Sequence, residues 1–86
     1  MLDQIEEFSS LLFSPEEISI IMEISPEKIL NAGSAENIAF QKGRLITKAL
    51  LRKSVLEMAK NGSTEALKML ESIYNETNMQ MQRRRG

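Results

Sequence analysis

The sequence contains no cysteine and no histidine. Without cysteine the fold has neither disulfides nor thiolate metal sites, which favours the reducing cytoplasm over an extracellular setting. Without histidine the chain lacks the commonest general base and metal ligand. The sequence also has no glycine-rich phosphate loop, acid–base dyad or nucleophile elbow. We therefore expect a protein that is not an enzyme, with no catalytic residue, no metal and no cofactor.

Long apolar runs are also missing. No stretch approaches the roughly 18 consecutive apolar residues that a membrane-spanning helix needs. The N-terminus carries Asp3, Glu6 and Glu7 instead of the basic start and apolar run of a signal peptide. We expect no membrane partner and a cytoplasmic location.

The 86 residues are enough for one small domain with a modest core, which a partner subunit would help to stabilise. Charge is distributed unevenly along this chain. Residues 1–31 carry seven carboxylates against Lys28, whereas residues 32–86 carry ten basic side chains and five acidic ones. This asymmetry suits a polyanionic partner, and it equally suits docking of the acidic end of one subunit onto the basic part of the next.

Apolar residues recur at helical spacing and almost never alternate with polar ones, which predicts an all-α fold. The predicted helices span about residues 3–12, 15–22, 26–31, 34–61 and 63–76. In the first, Ile5, Phe8 and Leu12 are expected to share one apolar face. The helix starts and stops are predicted from capping residues. These are Ser14-Pro15, Ser25-Pro26, Ser34, Gly62 and Ser63.

The long fourth helix has two apolar sides. One comprises Ile38, Leu45, Ala49 and Leu56, widened by Ala39, Ile46 and Leu50. The other comprises Phe40, Leu51, Val55 and Met58, and we predict that these four residues mediate oligomerisation. Two apolar sides imply neighbours on both, and so short a chain has little left to cover the second. The alternative is a central helix wrapped entirely within its own domain.

Residues 15–32 fit the hydrophobic template of a helix-turn-helix unit. The positions that this motif buries are Ile18, Met22, Ile24, Ile29 and Ala32. Ser19 stands where a small residue lets the two helices approach closely, and Glu23 stands where glycine is usual. The unit can read DNA or serve only as an architectural element, because seven carboxylates surround it.

Several polar and basic side chains are candidates for contact with DNA. They are Lys28 and Asn31 on the third helix, Arg44, Lys48 and Arg52 at i, i+4 and i+8 on the fourth, and Arg83, Arg84 and Arg85 near the C-terminus. The alternative for the row on the fourth helix is a solvated or salt-bridged face between subunits. For the three arginines it is a tail that only aids solubility.

Three segments together resemble small terminase subunits of tailed phages and prophages. They are Phe13-Ser14-Pro15-Glu16-Glu17-Ile18, Ala39-Phe40-Gln41-Lys42-Gly43-Arg44 and Leu51-Arg52-Lys53-Ser54-Val55-Leu56-Glu57-Met58-Ala59-Lys60-Asn61-Gly62-Ser63. The resemblance covers roughly residues 10–75. It implies a helix-turn-helix domain associated with viral DNA at the start of packaging, following helices that form a ring-like homo-oligomer, and contact with a large ATPase-nuclease subunit in the cytoplasm of a bacterial host.

Together these observations predict three regions: a helix-turn-helix-like unit over 1–33, an antiparallel hairpin for oligomerisation over 34–76, and a flexible basic tail over 77–86. The expected function is that of a non-catalytic DNA-recognition and assembly subunit of a phage DNA-packaging complex. Double-stranded DNA, bound weakly by each subunit, and further copies of the chain are the expected partners. The alternatives are a dimeric helix-turn-helix transcription regulator and a structural phage or prophage protein that does not bind DNA.

Overall fold

A computed structural model describes the backbone of residues 1–85 and the side chains of residues 1–77. Within this part the chain is all-α, as predicted, and contains no strand. Its helices are α1 (Leu2–Ser10), α2 (Pro15–Met22), α3 (Pro26–Leu30), α4 (Ala35–Lys60) and α5 (Thr64–Arg85). The chain forms two compact units, residues 1–49 and the residues from Leu50 onward. The division between them falls within α4 in the sequence, whereas the predicted boundary lies before that helix.

The predicted start of α2 is confirmed by its cap. Ser14 and Glu17 form a reciprocal capping box, in which the Glu17 backbone N–H donates to Ser14 Oγ at 3.1 Å. The Ser14 backbone N–H in turn donates to Glu17 Oε1 at 2.9 Å. Pro15 occupies the first turn, where no backbone donor is needed. Local sequence therefore determines where α2 begins.

Helix α1 ends at Ser10, two residues before the predicted end. Leu12 leaves the helix with a φ of 72° and is 59% exposed, so the predicted apolar face that included it is wrong at this position. The Phe13 backbone N–H reaches back to the Phe8 carbonyl at 3.2 Å and closes the turn. The chain is thereby redirected so that the Phe8 and Phe13 rings meet edge to face, with centroids 5.8 Å apart.

The core of the first unit draws one residue from each of its four helices. Ile5, Ile18 and Ile29 are fully buried and Ala39 is buried beside them. Partly buried side chains surround this cluster: Phe8, Phe13, Met22, Ile24 and Phe40. Because every helix contributes to one cluster, burial of these side chains holds α1, α2 and α3 against the first part of α4.

Gly43 marks the close approach of α1 to α4. A Cβ atom at this position would lie 2.2 Å from the Glu6 carbonyl oxygen and 2.8 Å from the Ser9 Cβ. Ser9 is fully buried at the same crossing, and its hydroxyl donates to the Phe40 carbonyl. The Thr47 hydroxyl donates to the Ser10 carbonyl nearby. Glycine is required here because the two backbones are in contact.

The ends of α4 are capped as predicted. Ser34 accepts from the Asn37 backbone N–H at 3.0 Å, and its own hydroxyl donates to the Lys28 carbonyl at 2.7 Å. At the other end Gly62 adopts a φ of 96°. The Ser63 N–H then reaches the Met58 carbonyl at 3.1 Å, which completes a Schellman motif. Ser63 also caps α5 by accepting from the Ala66 N–H at 3.2 Å.

Helix α5 continues to Arg85, so the predicted helix end near residue 76 is wrong. Residues 77–85 contain no proline or glycine, and the glutamine, methionine and arginine residues among them favour the helix. The predicted flexible tail over 77–86 therefore overlaps a helical segment as far as Arg85. Its side chains from residue 78 onward lie outside the described residues.

Candidate DNA-contact and assembly surfaces

Helices α2 and α3 pack as a helix-turn-helix-like pair. Ile18 and Ile29 are fully buried, and Ser19 is 3% exposed at the position predicted for close approach. Met22 and Ile24 are half-buried. Ala32, the fifth position expected to be buried, is exposed because α3 ends at Leu30, two residues before it.

The turn between α2 and α3 is left-handed at Glu23, with φ 56° and ψ 44°. The Ile24 backbone N–H bonds to the Ser19 carbonyl at 3.0 Å and closes the turn. This is the conformation that glycine adopts without penalty, and a residue with a Cβ pays about 1 kcal/mol for it. Glu23 therefore takes the glycine geometry of the motif at a small cost in stability.

The outward surface of α3 is small. This helix has five residues and extends about 7.5 Å. Lys28 and Asn31, the residues predicted to contact DNA, are exposed there. Ser25 and Glu27 are exposed beside them, and the Ser25 hydroxyl donates to the Glu27 carboxylate. One cation and one amide are thus presented next to a carboxylate that repels phosphate.

Arg44 is engaged within the first unit. Its guanidinium donates to the Ser9 carbonyl at 3.1 Å and to the Phe13 carbonyl at 2.7 Å. It also lies over the Phe40 ring, 4.9 Å from the centroid. These contacts satisfy carbonyls at the C-terminus of α1 and in the following turn, where a cation is favoured. The structure therefore gives Arg44 a structural role within the first unit. Its contact with DNA stays a prediction.

The remaining basic candidates are distributed over both units. Lys48 is exposed in the first unit, and Arg52 is half-buried in the second. Among the described side chains the only ion pair joins Lys42 to Glu6 at 3.3 Å, so neither candidate is salt-bridged there. Arg83, Arg84 and Arg85 lie outside the described side chains. DNA contact by these residues stays a prediction.

The apolar residues assigned to oligomerisation fall into two groups. Phe40 is half-buried against the core of the first unit and beneath Arg44, so it stabilises that unit, and its assignment to a subunit interface stays a prediction. Leu51 is 59% exposed, Met58 is 53% exposed and Val55 is half-buried. These three remain candidates.

The side of α4 that was expected to be covered by the chain itself is largely uncovered. Ile38, Leu45 and Leu50 are each exposed by about 60%. Among the apolar residues predicted for this side, only Ala39 is buried. It lines the covered side together with Gly43, whose small size lets α1 approach. Helix α4 thus presents exposed aliphatic side chains in both units.

Helix α2 presents a surface of carboxylates and isoleucines. Its outward residues are Glu16, Glu17, Ile20, Ile21 and the capping residue Glu23, all of them exposed. The pKa of Glu17 is lowered, first because the Ser14 backbone N–H donates to its carboxylate and next by the Ser14 side chain. Desolvation opposes this lowering, and the positive charge of Arg44 adds to it less than desolvation takes away. The carboxylate of Glu17 therefore stays charged at neutral pH.

The described residues contain no group of three or more acidic, histidine or cysteine side chains placed to hold a metal ion. None of the described helices is long and apolar enough to cross a membrane. The chain matches no protein-family model, no curated protein and no solved structure.

Sequence reasoning missed two residues that shape these surfaces, Gly43 and Asn37. Gly43 could have been found, because a glycine inside a long helix signals close backbone approach. Asn37 Nδ2 donates to the Ile29 carbonyl at 2.8 Å and ties α3 to α4. Nothing in its spacing distinguishes Asn37 from an exposed polar residue.

Proposed function

We propose that the protein is a non-catalytic assembly subunit that self-associates through α4 and contacts double-stranded DNA by many weak contacts. Such a function is typical of the small subunit of a phage DNA-packaging complex. The large ATPase-nuclease subunit is then a further partner, and the cytoplasm of a bacterial host is the expected location.

The observation that carries this proposal is the exposed apolar surface of α4. Seven large aliphatic side chains of this helix are between 41 and 63% exposed: Ile38, Leu45, Ile46, Leu50, Leu51, Leu56 and Met58. A helix that exposes apolar residues at this density is stabilised when another chain covers them. A second copy of the chain is present wherever the protein is made, and most soluble oligomers are formed by identical chains.

Self-association also makes weak DNA contacts effective. Among the residues predicted to contact DNA, a single copy exposes few described cations, namely Lys28 on the helix-turn-helix-like pair and Lys48 on α4. When many copies are joined, their contacts act at high effective concentration, so that the assembly binds more tightly than each subunit. Affinity should then fall steeply as salt rises.

The decisive measurement is the mass in solution by light scattering, over a range of protein concentrations at low salt. We expect an assembly larger than a dimer of the 9.8 kDa chain, with mass increasing further when duplex DNA is added. Leu51→Glu should lower the mass, since it places a charge on the exposed apolar surface. Ser54→Glu is the matched control, because Ser54 is exposed on the same stretch and apolar burial is not lost.

A mass that stays at 9.8 kDa at every concentration would refute the proposal. A dimer that binds duplex DNA would favour a helix-turn-helix regulator instead. A larger assembly that fails to bind DNA at any salt concentration would leave a structural assembly protein. The five-residue length of α3 and the carboxylates of α2 favour this last candidate over the regulator.

A further inference from the structure

The outward side of α2 has an ordered pattern of charge and apolar side chains. Glu16 and Ile20 are four residues apart on one side of α2. Glu23 follows Ile20 by three residues as the left-handed C-cap residue, so it places a second carboxylate at the end of the helix. All three are exposed, and Ile20 is 78% exposed, the highest value among the described large apolar side chains. We call these three residues the acidic row. An aliphatic side chain left in water between two carboxylates suits a partner that is both apolar and basic.

A complementary pattern lies on the last part of α4, in the second unit. Lys53, Leu56 and Lys60 are exposed and follow one another at spacings of three and four residues. We call these residues the basic row. Neither lysine is in an ion pair among the described residues. An aliphatic side chain again stands between two like charges, here of the opposite sign.

The two rows match when one helix is antiparallel to the other. Glu16 then lies opposite Lys60 and Ile20 opposite Leu56, because both pairs are four residues apart on their helices. Glu23, at the C-cap of α2, comes next to Lys53 at the end of this alignment. The first and last residues of each row are seven positions apart in the sequence, which corresponds to about 10.5 Å along a helix. A parallel alignment places Ile20 opposite Glu57 instead, which leaves an aliphatic side chain against a carboxylate.

We propose that the acidic row of one copy packs antiparallel against the basic row of a second copy. This inference rests on the proposed self-association and names the surfaces that produce it. The contact joins two different surfaces, so a pair of copies keeps one free acidic row and one free basic row for further copies. Such a heterologous contact closes into a ring or continues as a filament, depending on the rotation between neighbours.

Charge argues for a second copy of this chain as the occupant of both rows. A two-fold pairing of acidic rows would bring carboxylates together, and a pairing of basic rows would bring lysines together, which is unfavourable in both cases. Nucleic acid would satisfy the basic row but would be repelled by the acidic one. A second copy satisfies both rows at once, and it covers Ile20 and Leu56.

The test uses charge reversal of the full chain, with mass measured by light scattering at low salt. Glu16→Lys/Glu23→Lys should weaken self-association about tenfold or more, because two attractions become two repulsions. Lys53→Glu/Lys60→Glu should do the same. Mixing the two variants should restore assembly, since the reversed row of each then meets a complementary row of the other. A chain that carries all four reversals should also assemble.

The matched control is Asp3→Lys/Glu7→Lys, which makes the same change of charge on exposed carboxylates of α1 and should leave assembly unchanged. Helical content by circular dichroism shows whether each variant folds, and restoration by mixing requires that both do. Thermal stability distinguishes contact between copies from contact within one chain. A contact between copies gives a melting temperature that depends on protein concentration.

Each outcome has a defined meaning. If both reversed variants assemble as the unchanged protein does, the pairing of rows is wrong while the proposed self-association stands. Suppose instead that the charge reversals change the melting temperature by the same amount at all protein concentrations and do not change the mass. The rows then meet within one chain, and the inference is overturned. If the unchanged protein is monomeric throughout, the proposed function fails together with the inference.

Discussion

Residues 1–49 and the residues from Leu50 onward differ in how many of their side chains are buried or hydrogen-bonded. The first unit buries Ile5, Ile18 and Ile29 completely, and Arg44 and Asn37 join its helices through hydrogen bonds to carbonyls. In the second unit, among side chains up to residue 77, only Ala66 is buried.

This difference indicates where each unit obtains its stability. The first unit has a core of its own, because side chains of four helices converge on one cluster. The second unit relies on helix caps such as the Gly62–Ser63 turn and leaves leucines at 50, 51 and 67 exposed. Short isolated helices gain most of their stability from packing, so the second unit should depend on contacts outside itself.

The largest effect should come from Ile18→Ala in the first unit. Ile18 is fully buried, and removal of its side chain should lower the free energy of unfolding by about 3 kcal/mol. In dilute solution, Leu67→Ala on α5, where the leucine is 48% exposed, should cost less than about 1 kcal/mol. Urea unfolding followed by circular dichroism measures both. Equal losses would contradict the difference between the units.

Gly43→Ala should cost about 2 kcal/mol, because its methyl group would overlap the Glu6 carbonyl and displace α1 from α4. Gly33→Ala is the matched control. Gly33 has a φ of 84° with no atom within 4 Å of an added Cβ, so only backbone strain of about 1 kcal/mol applies. Amide exchange should show faster opening of α1 in the first variant alone. If α1 stays protected, the helices are not held by close backbone contact.

Arg44→Lys sharpens the comparison by testing the polar contacts of the first unit. Lysine keeps the charge but cannot donate to the Ser9 and Phe13 carbonyls in the same fork, so we expect a loss of about 1–2 kcal/mol. Lys48→Ala, at an exposed cation one turn further along α4, should change stability by no more than about 0.5 kcal/mol. Chemical unfolding measures both effects. An Arg44→Lys variant as stable as the unchanged protein would show that the guanidinium contacts contribute nothing.

The smallest effect concerns Glu17 and pH. Its folded-state pKa is lowered from the ordinary value of 4.5, so its carboxylate stabilises the fold above that pH, and the contribution is lost as pH falls through the folded-state value. Glu17→Gln should therefore flatten the dependence of the melting temperature on pH below about 4.5. Glu16→Gln is the matched control, because its carboxylate accepts no hydrogen bond among the described residues. An unchanged pH profile in Glu17→Gln would contradict the assignment.

Helix boundaries could be predicted from the sequence wherever a cap determines them. Ser14, Ser34 and Ser63 each accept a backbone N–H as expected, since capping depends only on neighbouring residues. The predicted end of α1 was wrong because the actual end depends on Arg44, which is distant in the sequence. The Arg44 guanidinium donates to the Ser9 and Phe13 carbonyls.

Burial was harder to predict than helix position. Periodicity shows that α4 has two apolar sides, but it does not show which of them the rest of the chain covers. Phe40 was assigned to the apolar side that mediates oligomerisation. In the structure it packs against the core of the first unit, near Gly43, where α1 approaches α4. DNA contact by Lys28, Asn31, Lys48 and Arg52 stays a prediction, because exposure of a basic or polar side chain does not identify its partner.

The contact at Gly43 also has a consequence for how much change the chain tolerates. Where helices are separated by interlocking side chains, a substitution on one helix can be compensated by a substitution on the other. Here main-chain atoms of α1 occupy the space that a side chain at position 43 would need. No substitution within α1 removes the Glu6 carbonyl oxygen, because that atom belongs to the backbone. Position 43 is therefore closed to compensating change, while the outward residues of α1 are free to vary.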